Sequence, residues 1–147
     1  MKVVVQRVKT AQVKVADRIV GQIGLGFLIL VGIGENDSEK EVDYLVKKIA
    51  NLRIMVDKND KMNLTLKEIN GKILAVSQFT LYGNTKGQNR PSFITAAKPK
   101  LAKKLFDLLV EKLKALGFRV ETGIFGAKME VSLINDGPVT IIIDRQN

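Results

Sequence analysis

The stretch Met-Glu-Val-Ser-Leu-Ile-Asn-Asp-Gly-Pro-Val-Thr-Ile-Ile-Ile, residues 129–143, decides how the last part of this chain folds. Residues 129–134 and 139–143 are rich in β-branched side chains and predict two strands. Between them, proline lacks the N–H that a sheet needs and glycine adopts backbone angles that other residues avoid, so Asn135–Pro138 predicts a sheet edge, a bulge or a turn. A rigid Gly137-Pro138 corner could present backbone to a ligand, and a plain turn is the alternative.

The rest of the chain alternates strand patterns with two helix patterns. A capping box of Ser38 and Glu41 predicts the start of a helix over 39–51. Pro99 and Gly117 bracket a leucine stripe that predicts a second helix. Period-two and short apolar patterns predict strands at 2–8, 11–16, 19–23, 27–33, 53–56, 72–81 and 118–122. Asp17-Arg18 is the predicted hairpin turn between the second and third of these.

We expect these elements to form one compact α/β domain over residues 1–147. The many strands and two helices predict a curved, barrel-like mixed β-sheet with both helices packed outside it. The chain has no internal repeat, linker or low-complexity tract. No apolar run reaches the roughly 18 residues that span a bilayer, and the amino terminus has no signal-peptide pattern, so we expect a cytoplasmic protein.

The composition excludes several kinds of active site. The chain contains no histidine and no cysteine. This rules out a Ser-His-Asp triad, a Cys-His dyad, and zinc sites built from imidazole or thiolate. The sequence also has no dense cluster of Asp and Glu at ligand spacing, so we predict neither a metal nor another cofactor.

Positive charge is concentrated in one part of the chain. The net charge is +9, and residues 82–119 hold nine cationic side chains against two acidic ones. Such a stretch attracts the phosphates of a nucleic acid such as RNA. The alternative is a lysine-rich helix face that only contacts solvent. The sequence contains six Phe, two Tyr and no Trp, few aromatic residues for a protein that binds single strands by stacking.

The second candidate segment is the end of the predicted strand 72–81. Strand alternation would put Ser77 and Phe79 on one face, with Gln78 and Thr80 on the other. A polar end on an apolar strand suits the mouth of a pocket. A hydroxyl there lacks a histidine to activate it, but backbone amides could stabilise an oxyanion. These four residues could equally be ordinary strand residues.

Both segments resemble a known family. Ser77–Leu81 and Asn135–Thr140 are similar to the two signature segments of the D-aminoacyl-tRNA deacylases, also called D-tyrosyl-tRNA deacylases. The resemblance covers almost the whole chain. It extends in the same order through residues 5–8, 61–64, 90–93 and 122–129, the last of which ends at Met129.

The resemblance implies an activity and an assembly. It implies hydrolysis of the ester between a D-amino acid and the terminal ribose of tRNA, and removal of glycine mischarged on tRNA(Ala). It also implies a homodimer with active sites at the subunit interface.

The resemblance further implies roles for particular residues. Gly137-Pro138 would form a cis peptide that enters the partner's pocket and rejects L side chains, with Arg7 holding it in place. Met129 joins these three as a predicted substrate-binding residue. The pocket floor and catalytic segment would consist of Ser77, Gln78, Phe79 and Thr80.

Two questions stay open at the level of sequence. Thr80 could act as a nucleophile, or the terminal 2′-hydroxyl of the tRNA could assist while the protein supplies backbone contacts. We favour the second mechanism, because no base is available and an aminoacyl ester is already activated. The alternative functions are a non-catalytic RNA-binding module and a small-ligand or structural barrel.

Overall fold

A long central strand organises the fold in the computed structural model, which describes residues 1–145. This strand, β1 (Lys2–Val15), pairs with three others along its length. The six-stranded sheet has the order β2-β1-β3-β6-β7, with β8 also paired to β1. Its other strands are β2 (Arg18–Ile23), β3 (Gly26–Gly32), β6 (Lys72–Ser77), β7 (Val120–Thr122) and β8 (Glu130–Asp144), and β4 (Met55–Val56) and β5 (Met62–Leu64) form a separate ribbon.

The sheet curls until its two ends meet. Strands β2 and β3 follow one another along one side of β1, while β8 occupies the other side. Beyond β3 the sheet continues in parallel to β6 and β7. Gly21 of β2 lies so close to β7 that a β-carbon on it would be 2.5 Å from the Thr122 carbonyl oxygen. The sheet is therefore a nearly closed barrel, as the sequence predicts.

Two helices cover the barrel: α1 (Glu39–Ala50) and α2 (Pro99–Ala115). Along β3, Phe27 and Ile29 pack in the cluster that includes the helices, while Leu28 packs in a second cluster inside the barrel. Because alternate residues of a strand point to opposite faces, both faces of β3 are buried. This explains the uninterrupted apolar run of that strand.

Both helices begin where local sequence rules predict. The Ser38 hydroxyl and backbone N–H each donate to Glu41 Oε2, at 2.7 and 2.8 Å, and the Lys40 N–H donates to Ser38 Oγ at 3.3 Å. The hydrogen bond from the Ser38 side chain is the main reason why the pKa of Glu41 is lowered. Pro99 occupies the first turn of α2, where its missing N–H costs no helical hydrogen bond.

Two strand boundaries differ from the prediction. The predicted strands 2–8 and 11–16 are one strand, because β2 and β3 together give β1 a nearly continuous partner. The hairpin turn is Ala16-Asp17 rather than Asp17-Arg18, and both turn residues have positive φ, 46° and 62°. Such angles are those of the two-residue turn that matches strand twist.

The two strands predicted at 129–134 and 139–143 are one strand, so Asn135–Pro138 contains the bulge among its predicted alternatives and not the plain turn. β8 runs through these residues as one strand antiparallel to β1. Gln6 pairs with Thr140 and Val8 pairs with Asn135, so residues 136–139 all oppose Arg7. The proline is accommodated in this enlarged bulge, where it need not donate to the ladder. We call residues 136–139 the corner.

Candidate active site

A 3₁₀ helix replaces the end of the predicted strand 72–81. β6 ends at Ser77, the Gln78 N–H donates to the Val31 carbonyl oxygen at 2.8 Å, and the 3₁₀ helix covers Phe79–Tyr82. The predicted alternation of faces from Ser77 to Leu81 is therefore wrong. Gly32 makes the turn possible, because a β-carbon there would be 3.0 Å from Leu81 Cβ.

This turn forms one wall of a cavity of about 600 Å³. The remaining walls come from the end of β3, the start of α2 with the segment before it, and the start of β8 with the segment between β7 and β8. Most of the lining is apolar, with Ser77 and Gln78 as its polar side chains. The lining residues are Val31, Ile33, Val76, Ser77, Gln78, Phe79, Phe93, Ala96, Ala97, Pro99, Ala102, Phe125, Gly126, Ala127, Met129 and Val131.

Thr80 lies beside this cavity rather than in its lining. Its side chain is exposed and its hydroxyl accepts a hydrogen bond from the Gln78 side-chain amide. Within residues 1–145, no carboxylate or amine is bonded to that hydroxyl, and the backbone N–H groups of Phe79 and Thr80 donate to no acceptor. The segment thus offers backbone donors and lacks a general base bonded to Thr80.

The far end of the 3₁₀ helix is fixed by a polar cluster around Asp37. The Tyr82 hydroxyl donates to Asp37 Oδ2 at 3.3 Å, and the Gly34 N–H donates to the same oxygen at 2.6 Å. The amino group of Met1 donates to Asp37 Oδ1 at 2.5 Å. Burial, and then the nearby Asp37 carboxylate, raise the pKa of Tyr82, so its phenol stays protonated and keeps donating.

Arg7 holds the corner from behind. Its side chain is buried, with 6% of the residue exposed. Nε donates to the Asp136 carbonyl oxygen at 2.9 Å and lies 3.3 Å from Asp136 Oδ2, while Nη1 donates to the Ile54 carbonyl oxygen at 2.7 Å. One guanidinium therefore ties the corner to the segment before β4.

The tip of the corner is exposed backbone. The Gly137-Pro138 peptide is cis, as the resemblance implies, and both residues are exposed. Gly137 has φ of +129°, a conformation that L side chains rarely adopt, and a β-carbon there would be 2.8 Å from Val139 Cγ2 and 3.1 Å from Arg7 Nη2. Only glycine fits this position without strain.

The structure brings the predicted site residues into two groups. Ser77, Gln78, Phe79 and Met129 all line the cavity. Arg7 and the corner form a separate unit, and within the described residues neither Gly137 nor Pro138 lines the cavity of its own chain. In a single chain the predicted selectivity element and the predicted pocket are therefore apart.

Sequence reasoning did not assign several cavity residues. Phe93 packs edge-on against Phe79, with ring centroids 5.1 Å apart, and Phe125 lines the cavity near α2. Both lie in segments that carry the family resemblance, which was the available signal. Gly32 at the end of β3 and Gly34 just after it allow Leu81 and Tyr82 to approach closely, because a β-carbon at either position would crowd them.

The sequence profile described as D-Tyr-tRNA(Tyr) deacylase matches residues 4–144. The chain belongs to this family. The family resemblance and the predicted class of enzyme, a deacylase, are thereby confirmed. The match covers both groups of predicted site residues, although the role of each residue stays a prediction.

Relatives in the D-Tyr-tRNA(Tyr) deacylase family match over nearly the full chain. A D-aminoacyl-tRNA deacylase of Halothermothrix orenii is 57% identical over 144 residues, which is 98% of this chain and 97% of that protein. One of Limosilactobacillus reuteri is 54% identical over 145 residues, covering 99% and 100%. A solved structure described as c-Myc DNA unwinding element binding protein has a TM-score of 0.93 and 37% identity, with each chain fully covered.

In residues 1–145, neither helix is both long enough and apolar enough to cross a bilayer.

Proposed function

We propose that this member of the deacylase family hydrolyses the ester of D-aminoacyl-tRNA to give a free D-amino acid and tRNA. The observation that carries the proposal is the cavity walled by Ser77, Gln78 and Phe79, in a chain that shares more than half its sequence with named D-aminoacyl-tRNA deacylases. The terminal ribose and its aminoacyl ester would enter this cavity. Its apolar lining suits an adenine ring, and its few polar groups suit the ester.

The chemistry would depend on the substrate and on backbone donors. Water adds to the ester carbonyl with assistance from the terminal 2′-hydroxyl of the tRNA, and the bond from the carbonyl carbon to the ribose oxygen breaks. The ribose oxygen leaves with a proton. The N–H groups of Phe79 and Thr80 have no acceptor among residues 1–145. They would stabilise the oxyanion of the tetrahedral intermediate.

Discrimination by handedness would come from the corner of a second copy of the chain. The corner is exposed, is fixed by the buried Arg7, and does not line its own cavity. Inserted into the cavity of a partner, rigid backbone at Gly137 and Pro138 would collide with an L side chain and leave a D side chain room. Such selection requires no reactive side chain in the corner.

The outer edge of β8 supports a homodimer. Among residues 1–145, β8 pairs only with β1, so a strand of 15 residues has one open edge. It also exposes Val131, Ile134 and Ile142, the last to 72%. Long, apolar edges of this kind promote unwanted association unless they are covered, and a second copy would cover both edges symmetrically.

The same geometry would admit glycine. A corner that excludes L side chains has nothing to exclude in an achiral residue without a side chain, so glycyl-tRNA(Ala) should also be hydrolysed. Both activities serve translation, and we therefore place the protein in the cytoplasm.

The test compares three substrates. D-tyrosyl-tRNA, L-tyrosyl-tRNA and glycyl-tRNA(Ala) are incubated with the protein and the loss of the ester is followed. We expect rapid loss of the D-tyrosyl and glycyl esters and background loss of the L-tyrosyl ester. Equal cleavage of both tyrosyl esters would contradict the role of the corner, and no cleavage of any would contradict the proposed activity.

A second candidate function is nucleic-acid binding without catalysis. It is favoured by the description of one solved relative as a protein that binds a DNA unwinding element, and by the net charge of +9. The same assay separates the two candidates when binding of uncharged tRNA is measured in parallel. Binding with no ester loss would favour this second function.

A further inference from the structure

The cationic side chains in and near residues 82–119 include two sets with different surroundings. Three on α2 are engaged by carboxylates. Lys103 Nζ lies 2.5 Å from Asp107 Oδ2, Lys104 Nζ lies 3.3 Å from Glu39 Oε1, and Lys112 pairs with Asp43. We call Lys103, Lys104 and Lys112 the paired lysines.

A second set lies beside the cavity. Pro99, Ala127 and Met129 line the cavity. Lys98 and Lys100 are the sequence neighbours of Pro99, and Lys128 stands between Ala127 and Met129. The three lysines are exposed, and no carboxylate within residues 1–145 comes within ion-pair distance of them. Lys103 also adjoins a lining residue, Ala102, but differs in being paired with Asp107. We call the unpaired set, Lys98, Lys100 and Lys128, the rim lysines.

The nearest acidic residue in sequence does not cancel this charge. Glu130 stands between Met129 and Val131, which both line the cavity. Glu130 itself is not part of the lining, and on the sheet it pairs in register with Lys14. Among residues 1–145, the three exposed rim lysines thus adjoin the lining in sequence, against this one carboxylate.

We propose that the rim lysines bind the phosphates of the single-stranded 3′ end of tRNA. This inference rests on the proposed function, since an aminoacylated ribose inside the cavity requires the preceding phosphates to leave through its mouth. Exposed ammonium groups attract these phosphates and displace their counterions. Each paired lysine would have to break its ion pair with a carboxylate of the protein before it could bind a phosphate.

The proposal also assigns the RNA contact to fewer residues than the whole basic stretch 82–119 that the sequence predicts. Phosphate contacts position a nucleic acid without identifying its bases, so three lysines at the mouth would serve many different tRNAs. The paired lysines are then part of a solvated surface, and two of them, Lys104 and Lys112, form ion pairs between α2 and α1. Only part of the basic stretch 82–119 contacts RNA, and Lys128 outside that stretch joins it.

Two triple variants with equal loss of charge test this division. The rim variant carries Lys98→Gln, Lys100→Gln and Lys128→Gln, and the control carries Lys103→Gln, Lys104→Gln and Lys112→Gln. Each removes three positive charges from the same chain. Both are assayed on D-tyrosyl-tRNA over a range of salt concentrations, and on 2′(3′)-O-D-tyrosyl-adenosine, which contains no phosphate.

We expect the rim variant to lose roughly tenfold or more in kcat/KM on D-tyrosyl-tRNA at low salt. Its plot of log kcat/KM against log salt should be shallower by about 2, since each contact to a single strand contributes about 0.7. Its rate on D-tyrosyl-adenosine should equal that of the unchanged protein, because that substrate has no phosphate to contact. The control should keep the unchanged slope on tRNA.

Three results would overturn the proposal. One is an unchanged salt slope in the rim variant, and another is an equal change of slope in the control, which would indicate that net charge alone matters. The third is an equal loss on D-tyrosyl-adenosine, which would indicate damage to the cavity. Failure of the proposed function looks different, because the unchanged protein would then hydrolyse neither substrate.

Discussion

The cavity wall at Ser77–Tyr82 and the corner at 136–139 are built in different ways. The wall follows a buried parallel strand, lines its own cavity and offers backbone N–H groups that have no acceptor among residues 1–145. The corner bulges from an exposed antiparallel strand, lies outside its own cavity and is fixed by a buried guanidinium. Under the proposed function, the wall would bind the ester and the corner would obstruct L side chains.

The difference shows how a small chain without histidine or cysteine could combine catalysis with selection by handedness. Stabilising an oxyanion requires donors that point into a cavity, so that region must be enclosed. Excluding one enantiomer requires a surface that does not yield, so that region must be rigid and can come from elsewhere. Changes in the two regions should therefore alter different measured quantities.

Replacing Arg7 by alanine should have the largest effect. It removes two hydrogen bonds and leaves two carbonyl oxygens without their partner in a buried position, which costs about 3 kcal/mol in the free energy of unfolding. The corner would lose its anchor, so D-tyrosyl-tRNA hydrolysis should fall and the D to L ratio should drop. Urea unfolding and the ester assay measure these effects.

Arg7→Lys is the matched variant, because it keeps the charge but lacks the planar fork that reaches two carbonyl oxygens. Its free energy of unfolding and its D to L ratio should both lie between those of Arg7→Ala and those of the unchanged protein. Full stability together with full selectivity in Arg7→Ala would show that the corner holds its position without this anchor.

Replacing Gly137 by alanine should rank second. The φ of +129° and the 2.8 Å approach to Val139 Cγ2 would cost about 1–3 kcal/mol and move the corner. We expect cleavage of L-tyrosyl-tRNA to rise relative to D-tyrosyl-tRNA. Gly117→Ala is the control, since φ is +91° at the end of α2 with no atom within 4 Å of the new carbon. Equal selectivity in both variants would place chiral discrimination outside the corner.

Replacing Thr80 by valine should have a small effect on turnover. Its hydroxyl is exposed and accepts a hydrogen bond from the Gln78 side-chain amide, and no carboxylate or amine of residues 1–145 is bonded to it. If backbone donors and the tRNA 2′-hydroxyl drive the reaction, kcat should fall by less than about tenfold, whereas loss of a true nucleophile costs on the order of a millionfold. Pre-steady-state ester cleavage by folded Thr80→Val distinguishes these results, and complete loss would assign the attack to Thr80.

Replacing Ser38 by alanine should leave hydrolysis unchanged, because the capping box lies outside both regions. It should lower the free energy of unfolding by about 1 kcal/mol at neutral pH. The pKa of Glu41 is lowered in the folded protein, so its contribution is present above about 4.5 and is lost as the pH falls through the folded value. The difference in stability between the two proteins should therefore shrink in acid.

A loss of selectivity for D-tyrosyl-tRNA over L-tyrosyl-tRNA in Ser38→Ala would contradict the independence of the corner from the capping box. Urea unfolding at pH 7 and at pH values below 4.5 tests the stability difference, and the ester assay at neutral pH tests selectivity.

Local interactions explain why the helices were predictable. The Ser38 and Glu41 pair lies within one turn, and Pro99 sets the first turn of α2 by its own ring. The apolar run of β3 likewise predicted a buried strand, since only a strand covered on both faces tolerates such a run. The barrel-like sheet followed from the number of strands and their patterns.

The candidate site was predictable only in part. Ser77, Gln78, Phe79 and Met129 line one cavity, whereas Thr80, which was predicted for the same pocket floor, is not part of its lining. The turn after Ser77 was missed, because it depends on how closely Leu81 approaches Gly32 in another strand. Whether Lys104 and Lys112 pair with carboxylates depends on the packing of α1 against α2, so the basic stretch could not be divided from the sequence alone.

The amino-acid sequence by itself determined the two helices, the buried strands, the family and the absence of histidine and cysteine chemistry. Those properties depend on neighbours in the chain, on side-chain periodicity or on residue identity. Tertiary structure decided that Gly137-Pro138 bulges within one strand rather than turning between two, because β1 is long enough to pair on both sides of it. It also decided that the corner lies outside its own cavity, since that separation arises from contacts between residues distant in the chain.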